Sequence, residues 1–372
     1  MKTAHIPERE HSVPWFWPIA AGAELAGEGM KLFGDNLRFA AEAGAISAPP
    51  PPSWATPNRV LLDLRTMYLR DFSRKGARGL KSPVLIDAPY AGHHATIADY
   101  RRGQSLVETL LDAGLSRVLV TDWKGATEEM RYFDIDTYLA ELAVAVEELG
   151  EPVHLVGLCQ GGWTSAMFAA RFPGKVASLV LAGSPIDTQA GSGAVRKAAN
   201  ELPMSFYEEV VRAGNGLMSG RVMLAGWKNM HPDEQYLEKY IDLYNHIENR
   251  NYIARTKRFE RWYENPIDLP GKWYLQAIRE LFKENRLARG RFVALGRKIA
   301  LSSVTVPVFL LAGDADDITP KEQVFNAARL LGTPKGRIVK RLAPGGHIGL
   351  FMGTKTLRET WPGIAAWIRK AK

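Results

Sequence analysis

The sequence predicts an α/β protein whose core is a mostly parallel sheet with helices on both faces. Three observations predict it. From Pro83 onward, short and nearly continuous apolar runs alternate with helical patterns, as expected of strands covered on both sides. That rhythm stops near residue 190 and gives way to more than a hundred residues of helices and loops rich in Arg, Trp and Tyr. It resumes at Val306, so the middle segment reads as a helical cap inserted into one core. A chain of 372 residues is long enough for such a core and its insertion.

The elements divide the chain into four parts. Residues 1–55 read as an N-terminal helical arm, with a helical pattern over Ala23–Ala45 and a stiff polyproline break at Pro49–Pro52. Residues 56–189 form the first part of the core. Here Val60–Leu64 and Met67–Phe72 read as an antiparallel pair, and Pro83–Asp87 as a strand entering the polar loop Ala88–Thr96. A helix over Ser105–Ala113, a strand over Arg117–Thr121 and a helix over Ile135–Leu149 follow. Val153–Gly157 and Val176–Ala182 are the next strands. Residues 190–300 are the cap. The core closes over 301–372 with strand Val306–Ala312, loop Gly313–Pro320, helix Lys321–Leu331, strand Arg337–Leu342 and a last helix from Thr354.

Composition excludes several classes. No apolar run approaches eighteen residues, which rules out a transmembrane helix. The apolar stretch Val13–Ala21 is short, broken by Pro14 and Pro18, and lacks a small-residue cleavage pattern, so it does not read as a secretory signal. Cys159 is the only cysteine, which excludes an internal disulfide framework and points to the cytosol. The net charge of +8 is local. Between Arg250 and Lys298 thirteen Lys and Arg face five acids, interleaved with Trp262, Tyr263, Trp273 and Tyr274. A solvated helical face with inward aromatics accounts for this pattern, and no nucleic-acid motif accompanies it.

Gly157-Leu158-Cys159-Gln160-Gly161 sits where a strand meets a helix, the G-x-S-x-G nucleophile elbow with Cys in place of Ser. The glycines remove side chains that would clash in so sharp a turn. A thiol nucleophile needs a base, and the base needs an orienting acid, which in this fold follow in the order nucleophile, acid, histidine. Asp314, Asp316 and Asp317 compete for the acid's place in the loop after Val306–Ala312. Asp316 has the usual triad spacing, and the other two read as turn or capping residues. His347, among glycines after the last strand, reads as the base. The expected site is therefore a Cys159–His347–Asp316 triad. Its oxyanion hole combines the Gln160 backbone N–H with one from Tyr90 or Ala91. His93 and Trp163 are the expected substrate-binding residues, His154 a core histidine. His93-His94 lacks a two-His-plus-carboxylate spacing, so neither metal nor cofactor is expected.

The cysteine elbow, Asp316 and Gly346-His347 resemble those of the polyhydroxyalkanoate enzymes, α/β-hydrolases with a cysteine nucleophile, from about Leu61 to the C-terminus. Ala91–Thr96, Thr121-Asp122-Trp123, Phe133–Tyr138 and Gly183–Thr188 resemble the intracellular depolymerases. Gly157–Gly162, Pro344–Leu350 and parts of Asn265–Leu287 resemble the short synthases. The resemblance implies an α/β-hydrolase core with a cap over Cys159. It implies a polyester or hydroxyacyl-oligomer substrate, with a granule surface and a homodimer as further partners. The leading expectation is a cytoplasmic, granule-associated depolymerase working through an acyl-cysteine, because Asp317 stands where synthases carry histidine. A synthase transferring hydroxyacyl groups from CoA is the alternative, and a granule-binding protein with a vestigial site is the third.

Overall fold

In the computed structural model of the protein, which describes residues 28–74, 82–150, 152–230, 235 and 238–371, eight strands form the central sheet. They are β1 (Arg59–Asp63), β2 (Met67–Asp71), β3 (Val84–Asp87), β4 (Val118–Trp123), β5 (Val153–Leu158), β6 (Val176–Ala182), β7 (Val308–Gly313) and β8 (Ile338–Ala343). Their order across the sheet is β1-β2-β4-β3-β5-β6-β7-β8. The β1–β2 and β2–β4 pairings are antiparallel, and the remaining five are parallel. Residues 1–27, which hold about half of the expected arm, Val13–Ala21 and the start of Ala23–Ala45, lie outside the described residues.

Burial follows composition. Every residue of β3, β4, β5 and β7 is buried, because their apolar runs are covered on both faces. The edges differ: β1 carries charged ends and is largely exposed, and β8 exposes Lys340 and Arg341, which discourages pairing with another sheet. The helices between strands include α1 (Leu106–Asp112), α2 (Ile135–Glu148) and α3 (Gln160–Arg171), and the chain ends in α4 (Trp361–Lys370). Ser105 caps α1 by accepting from the Glu108 N–H, and Asp134 caps α2 by accepting from the Thr137 N–H. The final helical stretch divides into Thr354–Glu359 and α4 because Pro362 has no N–H to continue a helix and fits the first turn of a new one. Lys321–Leu331 likewise divides at Asn326, whose side-chain amide donates to Asp187.

Packing divides the chain into two units, residues 1–51 with 228–264, and residues 52–227 with 265–372. The smaller unit contains the helices Glu28–Ser47, Lys239–Asn245 and Arg250–Tyr263. Phe39 meets Tyr244 edge-on, and Lys239 bridges Glu260 and Glu264. The larger unit holds the sheet and the remaining parts of 190–300. Those parts are tied down by polar contacts. Asn285 donates to Asp187 at 2.7 Å, Thr188 donates to the Leu281 carbonyl at 2.5 Å, and Lys272 pairs with Asp134 at 2.8 Å. Of the basic stretch, Arg279 and Arg286 also pair with acids, and Trp262, Tyr263 and Trp273 are buried. Among the described residues no helix is long and apolar enough to cross a membrane.

Asp99 holds the strand-poor entry segment to the core. Its carboxylate is fully buried and accepts from the N–H groups of Ala55 and Thr56 at 2.8 Å, the Thr56 hydroxyl at 2.7 Å and the Ser105 hydroxyl at 2.6 Å. Removing it strands several donors away from water. Asp99→Ala is expected to cost about 3 kcal/mol, read from urea unfolding midpoints at neutral pH. A loss within about 0.5 kcal/mol would mean that the segment is held by its apolar contacts instead.

Candidate active site

The strand order reverses direction between β3 and β5, so the loops leaving their C-terminal ends part to open a crevice, the usual ligand position in such sheets. Cys159 stands there, between β5 and α3, at φ 51° and ψ −117°. This is a conformation that a residue with a Cβ rarely adopts, and the surrounding packing enforces it. A Cβ on Gly157 would fall inside 3.0 Å of Gly162, one on Gly161 inside 3.0 Å of the Asp87 carbonyl, and one on Gly162 inside 3.0 Å of Ser184. The Cys159 N–H donates to the Ala182 carbonyl at 2.8 Å, fixing the turn to β6. Cys159 itself is partly exposed.

The acid and base arrive from the neighbouring parallel pair. Gly313 of β7 and Ala343 of β8 lie in register, so both loops leave the sheet at one level. The N–H groups of Asp314 and Ala315 donate to the carbonyls of Ala343 and Gly345 and bind the loops together. His347 Nδ1 donates to Asp316 Oδ2 at 2.8 Å, which leaves Nε2 for the sulfur. Asp316 Oδ1 accepts from the N–H groups of Ile318 and Thr319 at 3.1 and 2.8 Å, so the carboxylate cannot swing away. Of the two competing aspartates, Asp314 accepts from the Gly345 N–H and shapes the loop, and the Asp317 carbonyl accepts from Ala194. Burial opposes charge on the His347 ring. Cys159 and Asp316 outweigh it, by charge and by hydrogen bonding, and lift the imidazole to about 10. The arrangement favours the protonated form of the His347 ring.

On the other side of Cys159, α3 begins at Gln160, whose N–H is among those at the helix start with no partner inside the helix. Facing it is the loop after β3. Tyr90 turns its ring into an aromatic cluster with Trp123, Tyr138 and Trp273, so only its backbone is left for the reacting centre. Ala91 follows it, half-buried. The next residue, Gly92, has φ +85° and accepts from the Ile267 N–H at 2.9 Å. A Cβ there would meet Met223. Parts of 190–300 therefore pack on the loop expected to complete the oxyanion hole. Below it, Asp87 is fully buried, accepting from Ser165 on α3 and Thr121 on β4. Burial pushes its carboxyl up to about 7.

The two expected substrate-binding residues are placed differently. His93 is half-buried in the loop after β3. Trp163 is 1% exposed, one helical turn past Gln160, and its ring lies 5.8 Å from that of Trp273. His154 is in the core, paired with Ser178 at 2.8 Å, and burial lowers it to about 4. Sequence reading missed Trp273, Tyr138, Trp123 and Asp87 as residues of this region. Two of them lie in segments already conspicuous, Thr121-Asp122-Trp123 and Phe133–Tyr138.

A family model described as "Protein of unknown function (DUF3141)" matches residues 72–359, well over half of the chain. The chain belongs to this family. The chain is 25% identical over 323 residues to the poly(3-hydroxyalkanoate) polymerase subunit PhaC of Haloferax mediterranei, covering 84% of this chain and 63% of that protein. It is 24% identical over 293 residues to the same subunit of Allochromatium vinosum, covering 77% and 79%. The chain thus spans less than two thirds of the Haloferax relative's length. Among solved structures, a monoacylglycerol lipase of Paleococcus ferrophilus matches with a TM-score of 0.53 and 19% identity over 82% of this chain and 98% of that one. A carboxylesterase of Nitrososphaera gargenis matches with 0.52 and 16% over 84% and 99%. These establish the α/β-hydrolase fold.

Protonated His347 adds stability that is complete below its ordinary value of 6.5 and is lost as pH rises through about 10. The unfolding free energies of wild type and His347→Gln should therefore converge between those limits. A difference that stays constant to pH 10 would show that the native ring is already neutral.

Proposed function

We propose that the protein is an acyltransferase of the polyhydroxyalkanoate synthase type, moving hydroxyacyl groups from CoA thioesters to a hydroxyl acceptor through an acyl-cysteine. The observation that carries the acyl-cysteine of this reading is Cys159 at the strained elbow, beside His347 hydrogen-bonded to Asp316. The curated relatives, which are named polymerases, support it. They reverse the order expected from the sequence, in which ester hydrolysis led, and the synthase alternative takes the first place. Asp317, which weighed for hydrolysis, lies outside the Asp316–His347 hydrogen bond.

Chemistry favours the same order. Attack of sulfur on a CoA thioester exchanges one thioester for another and is nearly balanced. Attack on a polyester would make a thioester from a more stable oxyester, an uphill step. On this reading His347 takes the Cys159 thiol proton as the sulfur bonds to the thioester carbonyl carbon, and the Gln160 N–H and the Tyr90–Ala91 backbone receive the oxyanion. As the carbon–sulfur bond to CoA breaks, imidazolium His347 gives its proton to the departing CoA thiolate. The hydroxyl of an acceptor chain then attacks the acyl-cysteine, His347 takes its proton, and the Cys159 sulfur leaves. Asp316 keeps the Nε2 lone pair aimed and steadies the imidazolium. His93 is proposed to contact the acceptor side, from the loop that carries Tyr90.

The test is product analysis with 3-hydroxybutyryl-CoA, following thiol release and polymer together. Stoichiometric CoA release with growing polyester is expected. Free hydroxy acid released from amorphous polyester, with no CoA turnover, would restore hydrolysis as the activity. Cys159→Ala should lower turnover at least about 10³-fold in a protein that still folds. Asp316→Asn should cost about 10³- to 10⁴-fold, and Asp314→Asn and Asp317→Asn under about tenfold. A larger loss at Asp317 than at Asp316 would displace Asp316 from the triad.

A further inference from the structure

One buried ionisable group beside the elbow has no part in the transfer chemistry above. The strand β3 runs Val84-Leu85-Ile86 and ends on Asp87, whose side chain is fully buried. Its partners are hydroxyls rather than a cation. Ser165 of α3 donates to Oδ2 at 3.0 Å, and Thr121 of β4 donates to Oδ1 at 3.2 Å. Both of those residues are fully buried as well. Taking a carboxyl out of water without a counter-charge is costly. A polar end on an otherwise apolar strand is the kind of local conflict that proteins keep mainly at functional sites.

The network reaches both sides expected to form the oxyanion hole. On the helix side, Gly161 packs against the Asp87 backbone carbonyl, where a Cβ would fall inside 3.0 Å. Ser165, on the same face of α3 one turn later, binds the carboxyl. These two contacts fix the start of α3 and with it the Gln160 N–H. On the loop side, Thr121 also accepts from the Ala88 N–H at 3.0 Å, and the Trp123 indole donates to the Ala88 carbonyl at 3.0 Å. Ala88 opens the loop to Tyr90 and Ala91, and β4 thus holds both of its polar backbone groups. Asp87 also lies in register with Gly157 of β5, the first glycine of the elbow.

We propose that Asp87 is the positioning residue of the oxyanion hole, setting its helix and loop halves at their working distance as a neutral carboxyl and weakening the hole when it ionises. The side chains packed on the carboxyl are Ser165 from α3 and Thr121 and Trp123 from β4, none of them charged, and Gly157 of β5 brings no side chain. An ionised Asp87 therefore has no counter-charge and repels the negative charge that develops on the substrate. Burial pushes the carboxyl up to about 7, so the neutral form prevails below that pH and the anion above it. The inference rests on the acyl-cysteine of the reading above and not on which nucleophile resolves it.

The experiment follows single-turnover acylation of Cys159 by intact-protein mass in wild type, Asp87→Asn and Thr121→Val, with 3-hydroxybutyryl-CoA and 4-nitrophenyl butyrate as donors. A single-turnover rate constant does not depend on how much of the sample is folded. Asp87→Asn keeps the shape of the side chain and cannot ionise. The ratio of its rate to that of wild type should rise about tenfold between about pH 6 and about pH 8.5, because only wild type loses a neutral carboxyl there. Thr121→Val removes the acceptor of the Ala88 N–H at nearly constant volume. It should slow acylation about tenfold across this range, with half-saturation by the donor changed less than about threefold. A ratio constant with pH, or a Thr121→Val rate equal to that of wild type, would overturn the assignment, and the second variant decides alone if Asp87→Asn does not fold. Acylation by the nitrophenyl ester but not by the thioester would overturn CoA as the donor, and the same ratio measured on the ester then decides the role of Asp87. Failure of wild type with both donors would overturn the acyl-cysteine reading, and the assignment with it.

Discussion

The close approach of α3 to the ends of β3 and β6 is the constraint on which the rest of the site depends. Gly161 brings the helix against the Asp87 carbonyl and Gly162 brings it against Ser184, with no room for a Cβ at either. The turn at Cys159 has to be tight enough to join β5 to a helix so placed, and φ 51° is the result. The strain of order 1–3 kcal/mol expected for such a residue is offset by a helix buried along almost its whole length, from Gly161 to Ala169. One packing arrangement thus lifts the sulfur above the sheet and aims the first N–H groups of α3 at the crevice.

The partners of Cys159 come from the opposite half of the sheet and are held by a second register. Parallel pairing of β7 with β8 places two loops side by side, and backbone hydrogen bonds between them fix Asp316 under His347. The base is raised by its neighbours despite its burial, so the site holds a proton on His347 readily. On the near side the opposite balance holds: Asp87 is pushed up by burial and kept in place by Ser165 and Thr121. A carboxyl that gives up charge readily beneath the oxyanion loop adds little repulsion to an anion forming above it.

Much of this was legible in the sequence, for definite reasons. Fully buried strands such as Val153–Leu158 and Val176–Ala182 are runs of apolar residues, and a period-free apolar run bounded by loops reads directly as a central strand. The elbow was legible because its glycines are dictated by backbone contact, and Asp316 and His347 because chain order in this fold is fixed by strand order. The aromatic cluster was not. Tyr90, Trp123, Tyr138 and Trp273 lie on four separate segments, and their hydroxyls and rings meet only after the sheet has formed. Single residues also escaped the pattern: Asn326 interrupts a helix because its amide serves Asp187, a partner 139 positions away in sequence. The grouping of residues 228–264 with the N-terminal helix depends on contacts between distant segments in the same way.

Whether an acceptor hydroxyl or water takes the acyl group is set after it reaches the sulfur, and there the triad has no preference. A thioester keeps enough driving force to acylate either water or an alcohol, so selectivity belongs to the surroundings. Near Cys159 those surroundings include the rings of Tyr90, Trp123, Tyr138 and Trp273, packed together behind the loop expected to complete the oxyanion hole. The Tyr138 hydroxyl donates to Tyr90 and the Tyr90 hydroxyl to the Lys124 carbonyl, so both rings are held with apolar faces toward their neighbours. An ordered water needs polar partners, and ring faces offer few. On the proposed reading this apolar side of the site works against water as the competing nucleophile, which leaves the intermediate to an acceptor hydroxyl.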